Sequence, residues 1–355
     1  MSLELDNVTK TVDGETHIHP TSLRLEPGSF NILLGTTLAG KTSLLQLMAG
    51  LERPTSGRIA FNGRDVTGVP VQARNVSMVY QQFINYPNFT VFENIASPLR
   101  VAHLAEAAVK ARVERIAELL KLSPLLGRRP SELSGGQQQR TALARALVKD
   151  ASLVLLDEPL ANLDFKLREE LREELPRLFA ERQCIVVYAT TEPVEALLFG
   201  GHTATLHQGR ITQFGPTGDI YRRPSDLTSA QVFADPPINT ARVSKVRGEF
   251  VLGDGIAWKA AGALAKLPDG EYIFGIRPHH VTPMKSGSAP LAVEGTVKIT
   301  ELSGSESLIH FTLRDNAWTS QSRGIHPFVV GATARLYIDV SRAMYFDTSE
   351  KLIAA

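Results

Sequence analysis

Short, unbroken apolar runs alternate with amphipathic stretches over the first part of the chain. SFNILLG (29–35), LVLLD (153–157) and CIVVYAT (184–190) carry the continuous hydrophobicity of strands covered on both faces. KTSLLQLMAG (41–50) reads as a helix closed by Gly50, with Pro54 just beyond. From Glu106 to Leu122 the apolar positions Val109, Val113, Ile116 and Leu120 recur at helical spacing, and Pro124 lies just past the end. Strand and helix signals alternating in this way predict an α/β sheet. The pattern changes at Phe233-Ala-Asp-Pro-Pro-Ile-Asn, where paired prolines disfavour helix and mark a connector. Beyond it EYIFGI, LAVEGTVKIT, SLIHFTL and ATARLYID alternate with period two between turn residues, the signature of a small all-β domain. The expected division is therefore 1–235 and 236–355. No fixed-period repeat or low-complexity tract interrupts it.

Composition narrows the classes of function. The 355 residues suit two domains. With 43% hydrophobic and 21% charged residues the chain is an ordinary globular one. Lys+Arg number 38 and Asp+Glu 37; residues 1–241 hold 25 basic and 26 acidic side chains and the remainder 13 and 11. Neither part is basic enough to make nucleic acid the expected partner. The single cysteine, Cys184, excludes an intrachain disulfide and a multi-cysteine zinc site. MSLELDNVTK is a polar start with no signal segment, and no apolar run approaches the roughly 20 residues that span a bilayer. The expectation is a soluble, cytoplasmic protein that reaches a membrane only through partners.

Three motifs carry chemistry. Gly35-Thr36-Thr37-Leu38-Ala39-Gly40-Lys41-Thr42 fits G-x4-G-K-[ST] and sits between the expected strand and helix, with Ser43 next in the helix. Its glycines let consecutive N–H groups curl toward phosphates, Lys41 offers a point charge, and Thr42 can place a hydroxyl on Mg²⁺. Asp157 and Glu158 end an apolar strand; beside a phosphate loop, Asp157 suits the Mg²⁺ shell and Glu158 suits orienting and deprotonating an attacking water. In Leu133-Ser134-Gly135-Gly136-Gln137-Gln138-Gln139-Arg140, Ser134 is a good N-cap, so Ser134, Gly135 and Gly136 present N–H groups at a helix start, a second anion site.

Taken together, LSGGQQQR, LLDEPLANLD and the phosphate loop resemble the ATP-binding subunit of an ABC transporter, over roughly residues 1–235. The resemblance implies a P-loop NTPase fold with an inserted helical subdomain, ATP and Mg²⁺ as cofactors, and two cassettes that sandwich ATP between one phosphate loop and the other's signature, here Ser134, Gly135, Gly136 and Gln137. It implies that Gln81 touches the metal and the attacking water, and that Asp164 lies at the dimer seam. It implies that residues after Gln81, in the aromatic stretch Gln82–Pro98, dock on a membrane subunit. The tail, HQGRITQFGPTGDIYRRP followed by GIRPHHV and ELSGSESLIH, is similar to the maltose-type importer ATPases, whose C-terminal OB-like (TOBE-type) domain serves regulation and dimer contacts. NYPNFTVFENIASPLR resembles the carbohydrate, polyol and glycerol-phosphate importers of that group, although polyamine and iron importer ATPases share much of it. The implied assembly is peripheral at the cytoplasmic face of the inner membrane: two transmembrane permease subunits, a second ATP-binding subunit, and indirectly an extracytoplasmic solute-binding protein.

Two positions depart from the family pattern. Thr191, in ATTEPVEA, stands where the family has the histidine that contacts the γ-phosphate, and a threonine hydroxyl is shorter and uncharged. After Val8-Thr9-Lys10 the family places an aromatic on adenine; here Val12 would take that contact, with less area and no ring stacking. The expected assembly is thus an asymmetric heterodimer in which the chain's own site is weakened, with a homodimer or a largely non-hydrolysing structural subunit as the alternatives.

Overall fold

The structure is a computed structural model describing residues 1–355 except Ser29, Glu181 and Asp254. It divides into two compact units, Met1–Thr217 and Gly218–Ala355.

In the first unit, β1 (Leu3–Val12), β2 (Glu15–Leu25), β4 (Ser56–Phe61) and β5 (Arg64–Asp65) form an antiparallel sheet in the order β2-β1-β4-β5. A second sheet runs β10-β9-β3-β8-β7-β6, from β3 (Phe30–Gly35), β6 (Val76–Val79), β7 (Leu153–Asp157), β8 (Ile185–Thr190), β9 (His202–His207) and β10 (Arg210–Pro216). Ser29, the first residue of the expected strand at 29–35, lies outside the described residues. Every residue of β3, β7 and β8 is buried, as their unbroken apolar sequences require. These three are mutually parallel, with Leu34 opposite Thr190 and Asp157 opposite Ala189. Their carboxyl ends therefore lie side by side, where open α/β sheets bind ligands.

Helix α1 (Lys41–Ala49) follows β3, and Leu44, Leu45, Leu47 and Met48 bury themselves against Leu33, Leu155 and Val187. Gly50 ends it in the left-handed region (φ 78°), donating to the Gln46 and Leu47 carbonyls. Between β6 and β7 the chain inserts α2 (Val91–Val101), α3 (Glu106–Leu119) and α4 (Gly135–Leu147). The third helix stops at Leu119 rather than Leu122, because Lys121 turns to φ 53° and the Leu122 N–H reaches back to the Ala117 carbonyl at 2.7 Å. Helices α5 (Phe165–Ala180) and α6 (Pro193–Phe199) complete the unit. Among the described residues no helix is long and apolar enough to cross a membrane.

The second unit carries α7 (Thr217–Arg222, which starts at the division) and α8 (Leu227–Val232), then strands interrupted by short 3-10 turns: β11 (Asn239–Val246), β12 (Glu249–Val251), β13 (Ala257–Lys259), β14 (Gly270–Ile276), β15 (Val281–Thr282), β16 (Pro290–Leu302), β17 (Glu306–Leu313), β18 (Asn316–Arg323), β19 (Thr333–Asp339), β20 (Met344–Phe346) and β21 (Leu352–Ala354). They form antiparallel sheets ordered β13-β12-β11-β14-β20-β21 and β15-β19-β16-β17-β18, a partly closed, OB-like arrangement around a core of Phe250, Phe274, Phe311, Trp318 and Tyr345. The units divide at 217/218, ahead of the expected 235/236, because α8 packs with the strands that follow it. Leu227 and Ala230 cluster with Ile238, Met344 and Phe346, and the Leu227 N–H donates to the Glu350 carbonyl at 2.9 Å.

Candidate functional site: a phosphate loop and its carboxylates

The loop from Gly35 to Gly40 turns sharply between β3 and α1. A side chain at Gly35 would meet the Leu206 carbonyl at 2.6 Å, and Gly40 lies at φ 101°, so both places exclude other residues. Thr36, Thr37 and Leu38 form an exposed rim, with Leu38 95% exposed at φ 65°. Ala39 is buried beneath them, Thr42 and Ser43 are half-buried, and the Ala39 N–H donates to the Thr36 carbonyl at 3.1 Å. Lys41, first residue of α1, is 5% exposed. Its Nζ donates to the Gly35 and Thr36 carbonyls at 2.9 and 3.1 Å and lies 3.3 Å from Glu158 Oε1.

Two carboxylates face this loop from the end of β7. Asp157 Oδ2 accepts from Thr42 Oγ1 at 2.7 Å. Burial, reinforced by the adjacent Glu158 charge, pushes the Asp157 carboxyl above its ordinary range, against the opposing pull of Thr42 and Lys41. Glu158 sits at φ 46°, which turns its side chain back toward Lys41, and its Oε2 accepts from Gln81 Nε2 at 3.2 Å. The structure thus gathers Lys41, Thr42, Asp157, Glu158 and Gln81 at the carboxyl ends of the parallel strands.

Ser134 caps α4 with a reciprocal pair of bonds: its Oγ accepts from the Gln137 N–H at 3.4 Å, and its own N–H donates to Gln137 Oε1 at 2.9 Å. Gly135 has ordinary helical backbone, and a side chain added there would meet nothing within 4 Å; at Gly136 it would meet the Asn162 carbonyl at 3.5 Å. Among the described residues no contact demands glycine at 135, and the backbone there faces open space.

Thr191 is exposed one residue past β8, and Val12 is 37% exposed at the tip of the β1–β2 hairpin. No bond between described residues joins either side chain to the phosphate loop. Asp164 caps α5, its Oδ1 accepting from the Leu167 N–H at 3.0 Å. In the Gln82–Pro98 stretch Ile84, Tyr86 and Phe89 are 60%, 48% and 42% exposed, while Phe83 and Phe92 are half-buried. The Arg145 guanidinium packs over the Tyr86 ring, 4.9 Å from its centroid.

Sequence reasoning missed the polar cluster behind Thr191. Glu195, 3% exposed, accepts from Thr190 Oγ1 (2.6 Å) and Tyr188 Oη (3.0 Å) and pairs with Arg172 (3.2 Å). Arg172 also pairs with Glu169 (2.6 Å) and Glu192 (2.5 Å). Burial, with the Glu195 charge beside it, pushes the Tyr188 hydroxyl well above its ordinary range, so it stays protonated and donates. The helical spacing of Arg168 and Arg172 was the only signal, and such spacing ordinarily marks a solvated face.

Comparison with known proteins agrees with this geometry. The family described as ABC transporter matches residues 18–161. The chain is 37% identical over 317 residues, 87% of either protein, to the sn-glycerol-3-phosphate import ATP-binding protein UgpC of Burkholderia thailandensis. It is 34% identical over 355 residues to the protein of that name from Pectobacterium atrosepticum, spanning 99% of this chain and 98% of the relative. Among solved structures, a dimeric post-hydrolysis state of the ATP-binding cassette MJ0796 bound to ADP and Pi superposes with a TM-score of 0.56 at 26% identity, over 61% of this chain and 98% of that one. With a relative matched end to end and the phosphate loop, paired carboxylates and capped glycine helix all in place, the chain belongs to the ATP-binding subunits of ABC importers, in their maltose-type group: an ATPase that works as one of two cassettes with membrane permease subunits.

Proposed function

We propose that the chain binds MgATP on the Gly35–Ser43 loop and energises import of a glycerol-type solute. The observation that carries the reading is the convergence of Lys41 Nζ, Thr42 Oγ1, Asp157, Glu158 and Gln81 at one end of the parallel sheet. Lys41 is the charge for the β- and γ-phosphates, the loop N–H groups cradle them, and Val12 packs on the base. Thr42, Asp157 and Gln81 offer hydroxyl, carboxylate and amide oxygens, the hard donor set that suits Mg²⁺, and a cation there offsets the cost of burying the Asp157 charge. Bound Mg²⁺ neutralises phosphate charge. Phosphate oxygens compete with Glu158 for the Lys41 ammonium, which frees Glu158 to orient and deprotonate the attacking water while Gln81 holds its other oxygen.

Thr191 weakens this site, since losing one donor aimed at developing charge costs about 10²–10³ in rate. Ser134, Gly135, Gly136 and Gln137 complete the partner cassette's site instead, and the open surface at Gly135 suits a phosphate approaching from outside the chain. The assembly is a heterodimer with a related subunit that carries the histidine, with Asp164 at the seam. Ile84, Tyr86 and Phe89 dock on the permease pair at the cytoplasmic face of the inner membrane. The solute assignment rests on the relatives' names, sn-glycerol-3-phosphate import, and a solute-binding protein delivers the solute to the permeases.

Lys41→Ala tests the reading by calorimetry: MgATP affinity should fall by about 10²-fold or more in a folded protein, since a charge-assisted phosphate contact is lost. Unchanged affinity defeats the assignment. ATPase of the reconstituted complex should rise with sn-glycerol 3-phosphate; stimulation by a polyamine or iron alone would replace the solute.

A further inference from the structure

The loop carrying Thr191 is pinned on both sides of that residue. Before it, Thr190 Oγ1 donates to Glu195 (2.6 Å) and accepts from the Glu192 N–H (3.0 Å). After it, the Glu192 carboxylate is shared between two arginines one turn apart on α5: Arg172 on Oε2 at 2.5 Å and Arg168 on Oε1 at 3.2 Å. The two arginines differ in what else they hold. Arg172 turns inward to Glu195 and Glu169 and belongs to the buried cluster. Arg168 turns the other way: its second terminal nitrogen donates to the Ala161 carbonyl at 2.8 Å and the Leu163 carbonyl at 3.4 Å, in the segment just ahead of Asp164. That segment is tied to the backbone of Glu158 as well, because the Ala161 N–H donates to the Glu158 main-chain carbonyl at 3.3 Å. Arg168 Nε is buried with no hydrogen-bond partner among the described residues. A buried unpaired donor is costly, and here it leaves the guanidinium a spare bond to make if the 161–163 carbonyls shift.

We propose that Arg168 is a positioning residue that couples the Ala161–Leu163 segment to the Thr190–Pro193 loop. A second cassette packing against Asp164 moves the 161–163 carbonyls, the Arg168 fork follows them, and Glu192 carries Thr191 with it. Arg172 keeps the loop folded whether or not Arg168 is present, so stability and position are divided between the two arginines. The proposal rests on the reading of Asp164 as a seam residue and Thr191 as a nucleotide-side residue.

The test uses the assembled import complex. Cys184 is buried, so a Thr191→Cys chain labelled before assembly with a trifluoromethyl probe reports on that loop. With Arg168 in place, MgATP should shift the fluorine resonance. In Arg168→Met, which keeps the stem and removes the fork, the shift should vanish while ATP affinity stays within about twofold and the melting midpoint is unchanged. Arg168→Lys should restore part of the shift, and Glu192→Gln should lose most of it. Combining Arg168→Met with Glu192→Gln should cost no more than either alone. A full shift in Arg168→Met, or no shift with Arg168 present, overturns the proposal. So does a loss of ATP affinity in parallel with the shift, which would make Arg168 a part of the nucleotide site. If Arg168→Met fails to fold, Glu192→Gln decides alone, a retained shift counting against coupling. Failure of Lys41→Ala to weaken ATP binding would instead strike the nucleotide-site reading itself.

Discussion

Two loops leave the neighbouring parallel strands β3 and β8 and handle charge in opposite ways. On the phosphate loop a single buried ammonium, Lys41, is satisfied by two carbonyls and one carboxylate, under a rim exposed at Thr36, Thr37 and Leu38. Each of those partners can be exchanged for a phosphate oxygen. Past β8, Glu169, Glu192 and Glu195 pair with Arg172, and Glu192 also with Arg168; the Arg172–Glu195 pair is buried, Glu169 and Glu192 are partly exposed, and the loop tip is the neutral, exposed Thr191. On the proposed reading, the first loop gives up internal bonds to take a ligand. The second keeps its bonds and contributes through where it holds its tip. A site assembled from both is therefore sensitive to charge on one side and to position on the other.

The contrast breaks most severely if the cluster's buried pair is opened. Arg172→Met leaves Glu195 buried without its guanidinium, and removing one partner of a buried pair costs about 3–5 kcal/mol. Urea denaturation of the isolated chain should show that loss, and a change below about 1 kcal/mol would mean the cluster is dispensable. Next in size is a repair of the tip. Thr191→His restores a donor on the nucleotide side, and hydrolysis at the chain's own site should rise about tenfold or more, since one such donor carries 10²–10³ in rate. Single-turnover ATPase of a complex whose partner site is disabled measures it; no gain would place the weakness elsewhere, with Val12 the next suspect.

The smallest effect sharpens the phosphate-loop side. The Asp157 carboxyl is held above its ordinary range, so its charged form is disfavoured in the fold. With a raised folded value, the favourable contribution is present below the unfolded value and is lost as pH rises through the folded one. Asp157→Asn should therefore raise the melting midpoint of the nucleotide-free chain at neutral pH. The gain should shrink as pH falls below the ordinary aspartate range. A gain that grows on acidification reverses the sign and refutes the desolvation argument.

What the sequence disclosed was local. Gly35–Thr42 between an apolar strand and a helix, Asp157 and Glu158 at a strand end, and Ser134 three residues ahead of Gln137 are short patterns whose geometry follows from a few neighbours. The Arg172 cluster was illegible because its partners Glu192 and Glu195 lie 20 and 23 residues away, and charged residues on a helix look alike whether they face water or one another. The division of the chain was misplaced for a related reason. The prolines at 236 and 237 read as a linker, while the attachment of α8 to β20 joins Leu227 and Ala230 to Met344 and Phe346, far along the chain. Neither turn signals nor periodicity report such contacts.

On the proposed reading, this chain lends its glycine helix to a competent partner site while its own site is weak. Transport-coupled ATPase of the full complex, measured for Gly135→Asp and Glu158→Gln side by side, tests it most directly. Gly135 has room for a side chain, so Gly135→Asp should fold and yet set a carboxylate against the partner's γ-phosphate. Gly135→Asp should lower turnover by about 10²-fold or more, whereas Glu158→Gln should cost only a few-fold. Equal damage from the two would contradict it.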